Sequence, residues 1–190
     1  MADGQPTTRI TDPKVMRALA HPARIAIIEH LGSTGAVVTA TECAGLVGLS
    51  PSATSYHLRE LAKYGLVEQA PSRGDGRERV WRSTTSGLNV DGDLNEPETR
   101  ASQRALVDVY LNRDFARLRE WVARAHEEPK TWQDASALMS PMLLLNAEEL
   151  AEVNRQVKEV LAPYRRRERI ADAPADARPV AVHYAVFPVE

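Results

Sequence analysis

Two short helical segments lie so close together in this sequence that they leave few possible folds. Thr39 and Glu42 have the spacing of a capping box, in which a hydroxyl and a carboxylate satisfy the first free amides of a helix. Gly48 ends that helix, and Ser50 followed by Pro51 begins the next one almost at once. Two short helices joined this tightly are typical of the helix-turn-helix motif.

The second helix, predicted over 51–64, has two different faces when successive residues are rotated by about 100°. Thr54, Leu58 and Leu61 form the predicted buried face, and His57 lies at its border. For His57 we favour a packed histidine over a ligand or a base contact. The opposite face is small and polar near its N-terminus and cationic further along, and it consists of Ser52, Ser55, Tyr56, Arg59 and Lys63. Its composition is suited to contact with another molecule.

A hairpin is predicted directly after this helix. The sequence indicates a strand over 66–70, a turn over 71–76 that is rich in Gly and Pro, and a return strand over 77–84. The hairpin carries Arg73, Arg77 and Arg79. A helix-turn-helix followed by such a hairpin is a winged helix, and we place this domain at 12–88.

These elements have the chemistry that duplex DNA requires. Pro51, Ser52, Ser55 and Tyr56 form the end of a helix that can enter the major groove, and Arg59 and Lys63 are placed to meet phosphates. The wing cations Arg73, Arg77 and Arg79 are suited to the backbone or the minor groove. The net charge of −2 gives no such indication, so the argument depends on local charge. Each element alone is equally typical of an ordinary solvated surface, but their order and spacing favour DNA.

The flanking segments complete the prediction of a mainly α fold with small β elements (α+β). The first helix begins at Asp12 and Pro13 and breaks at His21 and Pro22, and the second is predicted to end at Gly32. The segment 86–97 is the predicted boundary before a second region at 96–190. A long helix over 98–127 carries an apolar stripe that we expect to pack on a second copy, giving a homodimer; the stripe consists of Val107, Leu111, Phe115, Leu118, Val122 and Ala125.

The C-terminal part is predicted to be a strand-helix-strand unit. The apolar run 142–145 is the first strand, Asn146 caps a helix that continues to about 169, and 180–189 is the closing strand. These strands pair either within one chain or across the dimer, and the sequence does not decide between the two. Tyr110, Trp121 and Trp132 are candidates for a pocket that binds a small organic effector, although burial in the core or the dimer interface is the favoured interpretation.

Other classes of protein find little support. No apolar run approaches the ~20 residues that cross a bilayer, and no secretion signal precedes the first helix, so we expect a cytoplasmic protein without a membrane partner. Cys43 is the single cysteine, which excludes an internal disulfide framework. No catalytic motif is present, and we expect neither an enzyme nor a cofactor.

The segment 49–61, with Gly65, Leu66 and Val67 after it, resembles the recognition helix of the arsenic-repressor-like (ArsR-like) winged-helix regulators. The segment 19–24 looks like that family's break between its first two helices, and 76–82 is similar to the wing of one subgroup. The resemblance spans 12–85. It implies a dimer that contacts a near-palindromic operator through Pro51, Ser52, Ser55, Tyr56 and Arg59 and represses until an effector releases it. The family's thiolate metal site does not carry over, because it needs paired cysteines, so the resemblance is to members that do not sense metals.

Two hypotheses therefore come from the sequence. The first is a sequence-specific transcriptional regulator, a dimeric repressor of double-stranded DNA released by a small organic effector. The alternative is a winged-helix protein-protein interaction module without direct DNA binding, since a fold alone does not determine function.

Overall fold

The computed structural model describes residues 7–72 and 79–189. Its contacts divide the chain into two compact units, with the division between Arg113 and Asp114. The division falls inside a long helix, so each unit contains a part of that helix.

Four helices of the N-terminal unit begin where the sequence predicts, and three of them begin at the predicted caps Asp12, Thr39 and Ser50. They are α1 (Pro13–Leu19), α2 (Pro22–Thr34), α3 (Ala40–Val47) and α4 (Pro51–Lys63). The capping box at α3 is formed in both directions: Glu42 N donates to Thr39 Oγ1 at 3.1 Å, and Thr39 N donates to a carboxylate oxygen of Glu42 at 2.6 Å. The close succession of α3 and α4 confirms the predicted helix-turn-helix.

The predicted end of α2 at Gly32 is wrong. The helix continues to Thr34, and Gly35 takes the left-handed conformation at its end, with φ of 67°. Gly32 has a different role, because a Cβ atom there would lie 3.1 Å from the carbonyl oxygen of Thr85. The glycine allows the helix to approach the backbone of a neighbouring segment closely.

The strands form two small sheets. They are β1 (Thr7–Ile10), β2 (Val38–Thr39), β3 (Val67–Ala70), β4 (Val80–Ser83) and β5 (Gly87–Val90). Strands β3 and β4 pair antiparallel as the wing hairpin, and β2 extends that sheet to the order β2-β4-β3. Strand β5 pairs in parallel with β1 and lies within 86–97, the segment predicted to be the boundary between the two regions. The Thr85 hydroxyl supports this pairing, since it accepts from Thr8 N at 3.1 Å and from Gly87 N at 3.2 Å.

One hydrophobic core joins the helices to the wing. Leu58 and Leu61 of α4 are fully buried, and Val67 and Trp81 of the wing strands pack in the same cluster. Met16, Leu19, Ile25 and Leu31 contribute from α1 and α2. Because α4 lies in this cluster along one side only, its other side is left at the surface.

The helix α5 (Pro97–Arg124) confirms the long helix predicted from the apolar stripe. Its first half belongs to the N-terminal unit, where Leu106 is fully buried. Two ion pairs hold it there, Arg17 with Glu98 at 2.8 Å and Glu29 with Arg113 at 2.6 Å. The predicted regions, 12–88 and 96–190, place this half of the helix with the C-terminal region instead.

The C-terminal unit contains α6 (Lys130–Ala135), α7 (Ala147–Leu161) and α8 (Arg166–Arg169), besides the end of α5. Asn146 caps α7 as predicted, with its side chain accepting from Glu149 N at 2.9 Å. The predicted strands differ: in the described chain, neither 142–145 nor 180–189 forms a strand. An apolar run becomes a strand only when another strand satisfies its backbone groups, and these segments pair with no strand among the described residues.

None of the described residues from 114 to 189 is buried. The mainly α fold with small sheets and a winged helix-turn-helix is confirmed, whereas the strand-helix-strand unit is not formed. No helix among residues 7–72 and 79–189 combines the length and the apolar character needed to cross a lipid bilayer.

Candidate nucleic-acid interface

Helix α4, the second helix of the helix-turn-helix, begins at a capped N-terminus on the surface. Ser50 has an extended backbone, and its hydroxyl oxygen accepts a hydrogen bond from Ala53 N at 3.3 Å. Thr54 donates its hydroxyl to the carbonyl oxygen of Ser50 at 3.0 Å, which turns that polar group inward. Pro51 takes the first helical position, where its missing N–H costs no hydrogen bond.

The inward face of α4 is buried as its periodicity predicts. Thr54, Leu58 and Leu61 are all fully buried, and His57 is only 8% exposed. His57 therefore packs inside the domain, as the favoured interpretation held. Burial of this row fixes the rotation of the helix about its axis.

The outward face of α4 is defined here as Pro51, Ser52, Ser55, Tyr56, Arg59 and Lys63. All are exposed except Ser55, which is half-buried, and Tyr56 keeps half of its surface accessible. The structure thus brings all six residues to one surface, with hydroxyl groups near the N-terminus and cations towards the C-terminus.

Both cations of this face have partners on α4. Arg59 Nη1 donates to Ser55 Oγ at 3.3 Å, a long contact that a stronger acceptor can replace. The Lys63 ammonium pairs with the Glu60 carboxylate, and this hydrogen bond lowers the pKa of Glu60 and raises the pKa of Lys63. An incoming phosphate must therefore compete with Glu60 for Lys63.

The wing is described in part. Arg79 is exposed immediately before β4, whereas Arg73 and Arg77 lie outside the described residues. Arg82 on β4 faces Glu68 on β3 across the hairpin, with its Nε 2.7 Å from the carboxylate. That pair stabilises the hairpin, so Arg79 is the wing cation best placed for an external anion among those described.

Two residues at the start of α2 contact α4 in a way that the sequence did not indicate: Arg24 approaches Tyr56, and His21 contacts His57. The guanidinium carbon of Arg24 is 6.0 Å from the centroid of the Tyr56 ring. The rings of His21 and His57 lie 4.5 Å apart, and His57 meets Tyr56 edge to face at 5.5 Å. No local sequence pattern connects these residues, since the contact depends on how α2 packs on α4.

The structure offers little to a metal ion. Among the described residues, no group of three or more His, Cys, Asp and Glu side chains is arranged to hold one. Burial, followed by the charge of Glu42, raises the pKa of Cys43 to about 11. The thiol therefore stays protonated at neutral pH, whereas a metal ligand must be a thiolate.

The candidate effector residues have different surroundings. Tyr110 packs against the core of the N-terminal unit, with the Arg113 guanidinium 5.0 Å from its ring. In the C-terminal unit Trp121 lines a cavity of about 480 Å³, whereas Trp132 lies under the Arg178 guanidinium at 4.8 Å. The cavity is lined by Leu118, Trp121, Val122, Ala125, His126, Gln133, Ser136, Ala137 and Leu138.

Several solved structures resemble parts of this chain. One is described as a possible transcriptional regulator for arsenical resistance, with 29% identity over 53% of this chain and 85% of its own, and a TM-score of 0.32. The YusO protein from Bacillus subtilis has 15% identity over 79% and 84%, with a TM-score of 0.33. Wild-type MarR from E. coli, in its apo form, has 15% identity over 78% and 89%, with a TM-score of 0.29. No curated protein sequence matches the chain.

A family model described as a helix-turn-helix domain matches residues 19–70. The match covers α2, α3, α4 and the first strand of the wing, together with the outward face of α4. The segment 19–70 is thus a helix-turn-helix domain, and β4, which follows it and pairs with β3, makes it a winged one.

Proposed function

We propose that this protein is a sequence-specific transcriptional regulator that binds double-stranded DNA through α4. The observation that carries the proposal is the outward face of α4, which is exposed beside a capped helix N-terminus while the inward face is buried. An α-helix with its side chains measures about 10–12 Å across and fits the major groove, which is about 12 Å wide.

Each residue of the interface has a proposed role. Pro51, Ser52, Ser55 and Tyr56 lie nearest the helix N-terminus and meet base edges. Arg59 and Lys63 lie further along and meet phosphates, which fix the register of the helix on the duplex. The wing supplies Arg73, Arg77 and Arg79 to the backbone or the minor groove.

The proposed active species is a homodimer. Val107, Phe115 and Val122 of α5 are 40%, 45% and 61% exposed, although they belong to one apolar stripe. The C-terminal unit buries none of its described residues, so a single copy leaves its apolar side chains in water. A two-fold partner that covers them would remove this cost.

We further infer that the regulator is a repressor of the arsenic-repressor-like type that a small organic effector, not a metal, releases from DNA. The cavity beside Trp121 supports a ligand site, because its volume of about 480 Å³ falls within the ~300–1,000 Å³ typical of small-molecule pockets. The raised pKa of the Cys43 thiol argues against a thiolate sensor.

The decisive experiment is fluorescence anisotropy of the full-length protein with a labelled duplex from the DNA upstream of its own gene. Specific binding should survive an excess of scrambled duplex, and log K should fall linearly with log salt concentration. We expect Ser55→Ala and Tyr56→Ala to change the sequence preference and Arg59→Ala to weaken binding to all sequences alike. Lys14→Ala removes an exposed charge from α1 and serves as the matched control.

Two results would contradict the proposal. Binding that the scrambled duplex competes away equally well would exclude sequence recognition. Stoichiometric capture of one protein partner, with no affinity for duplex DNA, would favour the interaction-module alternative. Sedimentation of the wild-type chain as a monomer at micromolar concentration would separately overturn the homodimer.

A further inference from the structure

Tyr56 is the aromatic member of the outward face, and the structure supports it from behind. Half of its surface is exposed, while Arg24 on α2 approaches its ring to 6.0 Å. A guanidinium at this distance from a ring centroid is at the outer limit of a cation–π contact, in which the charge is attracted to the ring. An exposed tyrosine without such support samples several rotamers, and this contact favours one of them.

Arg24 is itself fixed in place. Its Nη1 donates to the carbonyl oxygen of Ala18 at 2.6 Å, and this hydrogen bond links the Arg24 side chain on α2 to the backbone of α1. Its Nε is buried, and no described residue accepts a hydrogen bond from it. The guanidinium is thus held under Tyr56 by the protein and is not a freely moving surface cation.

The start of α2 explains why Arg24 lies at this point. His21 caps the helix by accepting a hydrogen bond from Ala23 N at its Nδ1, at 3.1 Å, and Pro22 takes the first helical position. These two residues fix the first turn, which carries Arg24. The His21 ring also contacts the ring of His57, the residue next to Tyr56, so the start of α2 contacts two successive residues of α4.

We propose that Arg24 is a positioning residue for sequence recognition: it orients the Tyr56 ring so that its outer edge meets the bases, without touching DNA itself. This inference rests on the proposed function. A positioned ring discriminates between sequences, because an unpositioned ring loses ordering entropy on binding and tolerates other base pairs. The effect should therefore appear in the preference among sequences more than in the affinity for DNA of any sequence.

The test uses the full-length protein and a pool of duplexes with a randomised core. The measured quantity is the ratio of affinities for the most enriched duplex and for its scrambled version. We expect Arg24→Met, which keeps the aliphatic stem and removes the charge, to lower this ratio about two- to fivefold, the factor that an exposed cation–π contact corresponds to. Arg24→Lys keeps a cation under the ring, so its affinity ratio should lie between those of Arg24→Met and the wild type.

A double-mutant cycle separates positioning from a general loss of structure. In the Tyr56→Ala background, Arg24→Met should change the ratio no further, because the ring that Arg24 orients is absent. Lys14→Ala removes one positive charge from α1 and should leave the ratio at its wild-type value. The denaturant midpoint of each variant is measured alongside, and Arg24→Lys provides the comparison if Arg24→Met fails to fold.

The possible failures are distinguishable. A wild-type protein that enriches no sequence would overturn the proposed function and this inference together. A wild-type protein with a clear preference that Arg24→Met leaves unchanged would overturn the inference alone. The same holds if Arg24→Met lowers the ratio as much without Tyr56 as with it.

Discussion

The imidazole rings of His21 and His57 lie 4.5 Å apart between their centroids, with their planes inclined at 41°. Burial lowers the pKa of both rings. For His57 the proximity of His21 and Arg24 lowers the pKa further, and Glu60 opposes them. Both rings are therefore neutral in the folded domain at pH 7, and protonation brings positive charges together behind the recognition helix.

This arrangement predicts that acid destabilises the domain. An unfolded histidine has a pKa of about 6.5, so just below that pH the unfolded chain binds more protons than the folded one. The free energy of unfolding should thus be highest above pH 6.5 and fall as the pH drops from 6.5 towards the lowered pKa values. Denaturant midpoints measured from pH 7.5 to 5.5 would show the decline.

The control for this prediction replaces the two rings. His21→Asn keeps a side chain that caps α2, and His57→Gln keeps a polar group, so the double variant removes mainly the titration. Its midpoint should vary less with pH over this range. His126→Gln, at a site with 76% of the side chain exposed, should leave the wild-type dependence intact. A double variant that declines as steeply as the wild type would contradict the assignment to this pair.

Gly45 and Gly48 should respond to alanine with opposite signs. Gly45 lies inside α3 and Gly48 ends it with φ of 66°, and at neither would a Cβ atom have a neighbour within 4 Å. Gly48→Ala is expected to cost about 1–2 kcal/mol, because the left-handed conformation strains an alanine. Gly45→Ala is expected to stabilise by about 0.5–1 kcal/mol through helix propensity. Urea unfolding of the two variants measures both changes in the free energy of unfolding. Equal changes would contradict the strain argument.

These elements show how far the sequence determines the fold. The starts of α1, α3 and α4 were predictable because capping is local: Asp12, Thr39 and Ser50 each bond to an amide two or three residues ahead. The true end of α2 was not, because Gly32 looks like a terminus and is instead a close approach to Thr85. The parallel pairing of β1 with β5 joins segments far apart in sequence, and no local pattern specifies it.

The candidate site divides in the same way. Helical periodicity was enough to separate Leu58 from Arg59, so the outward face of α4 was predictable. The support of Tyr56 by Arg24 does not follow from periodicity, because it depends on how α2 packs on α4. The pairing of Lys63 with Glu60 could have been found, because residues three apart lie side by side on a helix. The C-terminal apolar segments gave a strand prediction that failed, since hydrophobicity indicates that a segment needs a partner and does not supply one.

Leu58 is a residue of α4 whose truncation should weaken the domain clearly. It is fully buried, and Leu58→Ala should cost about 2–5 kcal/mol, through lost hydrophobic burial and the cavity left behind. Leu46→Ala on α3, where 51% of the residue is exposed, is the matched control and should change stability by less than about 0.5 kcal/mol. Chemical denaturation with a global fit of both variants tests this, and similar losses would contradict the assigned burial.

The ion pair between Glu60 and Lys63 should limit DNA affinity in a way that salt dependence reveals. Glu60→Gln releases the Lys63 ammonium from its carboxylate partner, so a phosphate no longer competes with that carboxylate. We expect tighter binding to any duplex and a salt slope steeper by about one, whereas Arg59→Ala should make the slope shallower by about one. Anisotropy titrations at pH 8, where His57 is neutral, provide the measurement.

The matched control is Glu98→Gln, which makes the same change of charge on α5, where the carboxylate pairs with Arg17. If it steepens the slope as much as Glu60→Gln, the effect comes from net charge and the pairing of Lys63 has no special role. If neither variant changes the slope, Lys63 does not reach a phosphate. A change confined to Glu60→Gln would show that this lysine is held back by its neighbour and contacts DNA once it is released.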